Sequence, residues 1–272
     1  MNNRKKLIVK VCLCLFVLLI FAMLFIFILN KMNDEHVKQN IEEIGGSKIV
    51  YEIIGENNPS QSDIEDTILK LTKRAESYCE NIEVYQDGNN HLVVEIWNEI
   101  VDESTAQMIG SHAKLYFIEE TNSEGESNYH AAFDVDDDGN MTNYGYRLDK
   151  SIEEIEAAGS ILLTGTDVES ANARTMADEF GKSQNVVELS MTAEGTKKFA
   201  EATKKAYEKG ETLAIYYEGE LISVPYVNTP IEDGKAIITG IESYVEADTL
   251  ASYLRIGELK LNLKNVDIQI FK

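Results

Sequence analysis

Cysteine, proline and tryptophan are scarce in this chain of 272 residues, which holds three, three and one of them. Two of the cysteines, Cys12 and Cys14, lie inside a long apolar run near the amino terminus, so Cys79 stands alone in the rest of the chain. A lone cysteine cannot form an intramolecular disulfide. The fold must therefore rest on a hydrophobic core, for which about 240 residues after the apolar run are ample.

Basic residues are also few beyond the start of the chain. The first 31 residues hold five of the 25 Lys and Arg residues and none of the 47 Asp and Glu residues. The remainder thus carries 20 basic against 47 acidic residues, a net charge of −27. Such a surface repels nucleic acids and anionic lipid headgroups, and attracts cations and basic polypeptide segments. Plain solubility is the alternative explanation of the charge, and it needs no partner. We expect no nucleic-acid partner.

The residue clusters that mark enzymes are missing. No histidine has a second His or Cys at zinc-ligand spacing, and the four are scattered at His36, His91, His112 and His130. No glycine-rich loop resembles a phosphate cradle, and no serine stands in a nucleophile-elbow sequence. We therefore expect a protein that is not an enzyme, has no catalytic residues and needs no cofactor.

The apolar run extends from Leu7 to Leu29. At about 1.5 Å per residue it is long enough to cross a hydrocarbon core of about 30 Å. Basic residues precede it, so the positive-inside rule predicts a cytoplasmic tail (1–6), a single transmembrane anchor (7–30), a linker (31–44) and an extracytoplasmic remainder. A cleaved signal peptide is the alternative. The length of the run and the lack of a small-x-small cleavage site favour the anchor.

Residues 45–121 show the alternation of a small α+β domain. A helix is predicted over 62–79 from its apolar spacing, with Ser62 as N-cap and Glu65 completing a capping box. The strands around it are KIVYEII, NIEVYQ and HLVVEIW, then a short helix STAQMIG and a closing strand AKLYFIE. This β-α-β-β-α-β order predicts a ferredoxin-like base.

The rest of the chain is predicted to form an insertion followed by a return to the base. Residues 122–159 read as an acidic loop and hairpin, 160–247 as an α+β head subdomain, and 248–272 as a helix and a strand returning to the base sheet. Strands are predicted at Val186–Met191, Thr212–Tyr217, Glu220–Val227 and Lys235–Thr239, and helices at Ala193–Glu208 and Ala247–Leu254. The fold class is thus α+β, with a base and an inserted head on one amino-terminal anchor.

Four phrases between Leu189 and Leu259 resemble the extracytoplasmic P1 region of the SecD family of protein-translocase subunits. They are LSMTAEGTKKFAEATKKA, TLAIYYEGELISVPYVNTPI, AIITG and EADTLASYLRIGEL. The GG phrase before the first strand and the phrase IGSHAKLYFIEE resemble the same region more distantly. The residues that match family motifs are Gly45, Gly46, Gly219, Pro225, Asn228, Pro230, Gly240, Arg255 and Gly257.

This resemblance implies a role in protein export at the bacterial plasma membrane. The implied partners are the Sec translocon or a SecF-like subunit, and exported polypeptides. In the family, the phrase matching Gly257 is followed by five more membrane-spanning helices, whereas about a dozen residues follow it here. We therefore expect a SecD-like protein that binds polypeptide or translocon partners outside the membrane, without proton-conducting helices of its own.

The resemblance also implies a polypeptide-binding surface, because the family's head is thought to engage its substrate. Apolar residues of the head are candidates to line a groove for unfolded chain: Phe199, Ile222, Val224 and Tyr226. The alternative is that these side chains belong to the core.

A second hypothesis is that the chain is a repurposed module that binds a ligand or cation on a membrane anchor. Asp134, Asp136 and Asp138 stand at positions 1, 3 and 5 of a sequence that matches the opening of a calcium loop, with Gly139 at position 6. Position 12 is Gly145, where a bidentate Glu belongs. The alternative is an Asp-Gly hairpin tip whose carboxylates face water.

Overall fold

The computed structural model describes residue 41 and residues 44–55, 58–135, 141–178 and 180–272. The predicted cytoplasmic tail, anchor and most of the linker lie outside these residues. Within the described part of the chain, no helix combines the length and the apolar content that crossing a membrane requires. Helices are interspersed among strands that pair antiparallel, which confirms the α+β class.

The described elements are five α-helices and thirteen strands. The helices are α1 (Gln61–Ala75), α2 (Glu103–Ile109), α3 (Ile152–Ala157), α4 (Ala193–Lys209) and α5 (Tyr244–Ile256). The first seven strands are β1 (Gly46–Ile54), β2 (Ile82–Asp87), β3 (His91–Trp97), β4 (Leu115–Glu119), β5 (Tyr129–Val135), β6 (Met141–Leu148) and β7 (Ile161–Thr164). The other six are β8 (Val168–Ala177), β9 (Ser183–Met191), β10 (Leu213–Tyr217), β11 (Glu220–Ser223), β12 (Lys235–Ile241) and β13 (Asn262–Phe271).

The base, which we define as residues 45–112 and 258–272, is built on one antiparallel sheet in the order β13-β1-β3-β2. Alternate residues of β1 (Ile49, Tyr51 and Ile53) point into a core that α1 and α2 also enter. This alternation is what a strand with one face on a core requires. β13, predicted from its alternating pattern as a strand that returns to the base, pairs with β1 over its whole length.

The predicted closing strand AKLYFIE does not lie in the base sheet, so that prediction is wrong. β4 belongs to a second sheet in the order β11-β10-β4-β7. All five of its residues are buried, which requires cover on both faces. Phe117 enters one core, while Tyr116 and Ile118 enter another on the opposite face. A strand with apolar residues on both faces must lie in the interior of a sheet. The position beside β1 in the base sheet is occupied by β13.

The N-cap of α1 also differs from the prediction. Ser60 rather than Ser62 caps the helix, since its hydroxyl accepts a hydrogen bond from the backbone N–H of Asp63 at 3.1 Å. Ser60 is followed by Gln61, and Glu65 accepts from the Gln61 side chain instead of closing a capping box. Two serines two positions apart both fit the sequence rule, and the helix begins at the earlier one.

The head, which we define as residues 113–257, has two sheets around a shared core. The β11-β10-β4-β7 sheet contributes Phe117 and Ile215, and the β12-β9-β8 sheet contributes Leu189 and Ile238. α4 and α5 enter the same core, and the rings of Phe199 and Phe117 meet edge to face at 5.8 Å. The strand β8 lies in a polar stretch (166–183) to which the sequence assigned no element.

A small third layer covers the outer face of the β11-β10-β4-β7 sheet. The hairpin β5–β6 and α3 bring Tyr129 and Ile155 against Tyr116, Ile118 and Ala214. α3 starts with a full capping box between Ser151 and Glu154. The hairpin therefore belongs to the packed head, although its sequence is strongly polar.

Candidate binding groove between base and head

Two chain segments connect the base to the head, and they lie side by side. The first (110–114) leads from α2 into β4, and the second (257–261) leads from α5 towards β13. They are joined by a hydrogen bond from the backbone N–H of Leu259 to the carbonyl of His112 at 2.9 Å. We call this pair of segments the joint. Gly110 is essential to it, because a Cβ there would lie 2.3 Å from the Tyr51 ring.

The side chain of Arg74, at the end of α1, holds both segments of the joint. It is fully buried, and its guanidinium donates to the carbonyls of Ile109 at 3.1 Å and Gly257 at 3.0 Å, and also to that of Ser111. No Asp or Glu of the described residues forms an ion pair with it. Burial accordingly lowers the pKa of Arg74. One side chain of the base thus fixes the exit and the re-entry of the chain.

Tyrosine side chains surround Arg74. The guanidinium carbon lies 4.8 Å from the centroid of the Tyr253 ring, a cation–π distance. Tyr253 and Tyr78 place their hydroxyls 3.5 Å apart, and Tyr51 donates to the carbonyl of Ala106 at 2.5 Å. Burial raises the pKa of Tyr51, Tyr217 and Tyr253, so these rings stay neutral.

Glu218 fixes the first segment from the side of the head. It is in the β10–β11 turn with φ +48°, next to Gly219 with φ +95°. Its carboxylate accepts hydrogen bonds from the backbone N–H of His112 at 3.2 Å and of Lys114 at 2.8 Å. The Glu218-Gly219 turn therefore has a specific task, which is to hold the joint in place.

A groove of about 1370 Å³ opens between base and head beside the joint. Tyr51, Tyr78, Tyr217 and Tyr253 line it together with residues of α2, of the first turns of α5 and of β13 from Asn262 to Ile268. Typical small-molecule pockets measure about 300–1,000 Å³. The larger volume suits a segment of polymer better than a compact metabolite.

Large apolar side chains stand exposed around this groove. Val245 is 74% exposed and Met108 42%, and Ile54 and Val266 are comparable to Met108. Two of the lining residues, His112 and Asn265, each have a buried polar atom without a partner among the described residues, namely Nδ1 and Oδ1. Apolar walls with a few polar anchors are the usual composition of a binding site for an extended or organic ligand.

The four residues predicted to line a groove do not come together. Phe199 is a core residue with 3% exposure. Ile222 packs on the head core and Val224 on the opposite core under the hairpin, so they face away from each other. Tyr226 is 57% exposed but does not line the groove at the joint. Phe199 is therefore a core residue, and Ile222 and Val224 are half-buried against the two cores, while a role of these residues in polypeptide binding stays a prediction.

The family-motif residues have structural tasks that the backbone explains. Gly45 and Gly46 start β1 with φ of +85° and +143°, and Gly240 has φ +84° at the irregularity in β12. Gly257 ends α5 with φ +82° and offers its carbonyl to Arg74.

The other motif residues connect elements of the head or lie on its surface loop. Arg255 donates to the carbonyl of Ala171 at 2.7 Å, which attaches α5 to β8. The carbonyl of Pro225 accepts from the N–H of Leu213 at 3.1 Å. Asn228 is exposed and Pro230 half-buried in the loop that follows β11.

The calcium motif falls at the edge of what the structure describes. Asp136 and Asp138 lie outside the described residues, and only the backbone of Asp134 is placed, opposite Asn143 in the β5–β6 hairpin. Among the described residues, no three His, Cys, Asp or Glu side chains are grouped to hold a metal ion. Calcium binding at this tip stays a prediction.

Sequence reasoning missed Arg74, Glu218 and His112. A signal for Arg74 was present, because it follows Leu71 by three positions and lies on the buried stripe of α1 with Ile64 and Thr67. An arginine on a core stripe must find carbonyl or carboxylate partners. Nothing local marks Glu218, since its partners lie about a hundred residues away in sequence.

Comparisons with known proteins show which proteins this chain resembles. The family model described as "SecDF, P1 head subdomain" matches residues 143–261. The protein translocase subunit SecDF of Thermus thermophilus is 31% identical over 272 residues, which cover 98% of this chain and 35% of that protein. SecD of Petrotoga mobilis is 29% identical over 239 residues, covering 80% of this chain and 49% of its own length. The chain thus matches the P1 region of the SecD/SecDF proteins.

Solved structures of SecDF show a similar fold. A crystal structure of SecDF in a super-membrane-facing form aligns over 85% of this chain and 31% of its own, with a TM-score of 0.60 and 26% identity. A second structure, from work on SecDF as a membrane component that enhances protein export, aligns over 82% of this chain and 99% of its own, with a TM-score of 0.57 and 27% identity. The chain spans between about a third and a half of the length of the two relatives named above.

Proposed function

We propose that this protein acts in Sec-dependent protein export by holding an extended polypeptide segment in the groove between base and head. The observation that carries the proposal is the groove itself, which is large, mostly apolar and bordered by the exposed side chains of Val245 and Met108. The match to the SecD/SecDF family supports it. Monomeric soluble surfaces rarely leave such side chains together unless something binds there.

The groove suits binding rather than catalysis. Burial raises the pKa of its Tyr51, Tyr217 and Tyr253, so these side chains stay neutral, and burial lowers the pKa of the lining histidine His112. No nucleophile and base are paired at hydrogen-bond distance among its lining residues, and the carboxylate of Glu218 is occupied by two backbone N–H groups. A surface of this kind can retain a chain without changing it covalently.

The proposal includes a location and partners. An anchor over residues 7–30 would hold the protein in the bacterial plasma membrane, with base and head on the extracytoplasmic side. There the groove would meet polypeptide emerging from the Sec translocon. A SecF-like subunit and the translocon itself are the proposed protein partners.

The test uses the full chain in detergent micelles and a fluorescently labelled, permanently unfolded secretory protein. Val245→Glu and Met108→Glu each place a charge on the apolar rim, and both positions are exposed, so folding is not at risk. We expect affinity to fall about tenfold or more for each variant, because a carboxylate loses solvation when the apolar segment binds over it.

The matched control is Phe180→Glu, which changes an apolar side chain that is 85% exposed at the β8–β9 turn, away from the groove. It should bind as the parent protein does. If the parent protein does not bind the unfolded probe, or if all three variants lose the same affinity, the groove is not the binding site.

A further inference from the structure

We infer that the groove selects polypeptide segments in which apolar side chains alternate with Lys or Arg, and rejects segments rich in Asp or Glu. This inference rests on the proposed function and specifies the class of segment that the groove takes. It follows from the charges that line the groove and from the absence of ion pairs at three of them among the described residues.

Acidic side chains outnumber basic ones along the groove. Four lining residues are acidic, on four different elements: Glu103 of α2, Glu218 of the β10–β11 turn, Glu246 of α5 and Asp267 of β13. Lys264 is the single lysine among the lining residues, and His112 stays neutral because burial lowers its pKa. Arg74 lies behind Tyr253 and does not line the groove.

Three of these carboxylates have no cationic partner, although that of Asp267 accepts a hydrogen bond from the side-chain amide of Gln269 at 2.6 Å. Glu103, Glu246 and Asp267 are exposed, and in the described part of the chain none forms an ion pair with a Lys or Arg. Elsewhere many acids are neutralised locally, as Glu188 is by Arg174 and Glu119 by Lys205. The groove thus combines an apolar wall with unpaired negative charge on several sides.

A segment with apolar and basic side chains complements both features. Its apolar side chains would cover Val245, Met108, Ile54 and Val266, and its ammonium or guanidinium groups would reach the rim carboxylates. A segment with Asp or Glu in the same places would meet like charges.

The experiment compares two labelled ten-residue peptides with identical apolar residues, one with three lysines and one with three glutamates at the same places. Binding to the full chain in detergent micelles is followed by fluorescence anisotropy at low and at physiological salt. We expect the lysine peptide to bind about tenfold tighter or more at low salt, with the preference shrinking as salt screens the rim. The triple variant Glu103→Gln, Glu246→Gln, Asp267→Asn should lose that preference.

The control variant is Glu169→Gln, Glu201→Gln, Glu232→Gln, which removes three exposed acids that do not line the groove. It should keep the preference. If both peptides bind the parent protein equally, the charge selection is refuted while the proposed function stands. If the control loses the preference as the groove variant does, the overall charge and not the groove selects. If neither peptide binds, the proposed function fails together with the selection.

Discussion

Arg74 of the base and Tyr253 of the head are in contact, with the guanidinium carbon 4.8 Å from the ring centroid. The same guanidinium binds the carbonyls of both connecting segments. Tyr253 also lines the groove, so the residue that holds the joint is one side chain away from the proposed binding surface. The shape of the groove therefore depends on a buried arginine.

Replacing Arg74 should destabilise the protein strongly. Arg74→Met keeps the volume but leaves the carbonyls of Ile109, Ser111 and Gly257 without their donor, which costs about 3 kcal/mol in the free energy of unfolding. Arg74→Lys keeps the charge but lacks the planar guanidinium, so its free energy of unfolding should lie between those of the parent protein and Arg74→Met. Urea unfolding of the full chain in micelles measures both.

The control for this prediction is Arg174→Met, because Arg174 pairs with Glu188 on an exposed part of the head. It should change the free energy of unfolding by less than about 1 kcal/mol. Equal losses for Arg74→Met and Arg174→Met would show that Arg74 does not hold the joint.

Removing the Glu218 carboxylate should loosen the first connecting segment without unfolding the protein. Glu218→Ala frees the backbone N–H groups of His112 and Lys114, so hydrogen–deuterium exchange over residues 110–114 should speed up by about tenfold or more. Glu220→Ala, in the following strand, is the control and should leave exchange in this segment unchanged. Unchanged exchange in Glu218→Ala would refute the role of this carboxylate.

Gly46 should not tolerate a side chain. In Gly46→Ala the new Cβ would lie 2.2 Å from the carbonyl oxygen of Ile96, at φ +143°, so β1 must shift against β3. We expect a loss of about 3 kcal/mol or more. Gly88→Ala is the matched control, because Gly88 also has a positive φ but open space around it, and it should cost about 1 kcal/mol. Similar values from thermal or urea unfolding would contradict the close approach.

Replacing Phe199 should destabilise the protein much more than replacing Tyr226. Phe199→Ala empties a core site against Phe117 and should cost about 3–5 kcal/mol. Tyr226→Ala changes an exposed side chain and should stay within about 0.5 kcal/mol. Urea unfolding measures the free energy of unfolding of both variants. A small loss for Phe199→Ala would mean that the ring does not belong to the core.

Stability should depend on pH through His112. Burial and Lys114 lower its pKa below the ordinary 6.5, while Glu258 and Glu218 offset this only in part. Below pH 6.5 the unfolded chain binds this proton more readily than the folded one, so the free energy of unfolding falls as the pH drops through that value and is level above it. His112→Asn should flatten this part of the curve in urea unfolding at pH 5.0, 6.0 and 7.5. Curves of identical slope for the two proteins would contradict it.

The sequence predicts most individual elements but not their assembly. Alternation and apolar spacing identify β1, β3, α4 and β10 because each buries one face on a core. They cannot decide which strand neighbours β1, since both AKLYFIE and the final alternating strand fit that place locally. The complete burial of β4 places this strand inside the head sheet and leaves the position beside β1 to β13. Burial on both faces of β4 exists only in the assembled head and cannot be seen in the local sequence.

The groove could not be predicted from local patterns for the same reason. Its lining comes from α2, α5, β13 and the β10–β11 turn, which are far apart in the chain. The residues chosen from the sequence were apolar positions of one strand and one helix, and three of those positions serve the cores instead. The arginine on the buried stripe of α1, Arg74, was a local signal of the joint that the sequence analysis did not use.

Photocrosslinking in living cells from Val245, on the rim of the groove and 74% exposed, tests polypeptide binding there most directly, with Tyr226, 57% exposed, as a control outside the groove. The account predicts adducts with exported polypeptides at Val245 that are several-fold more abundant than at Tyr226. Equal adducts at the two positions, or none at Val245, would contradict a polypeptide-binding role for the groove.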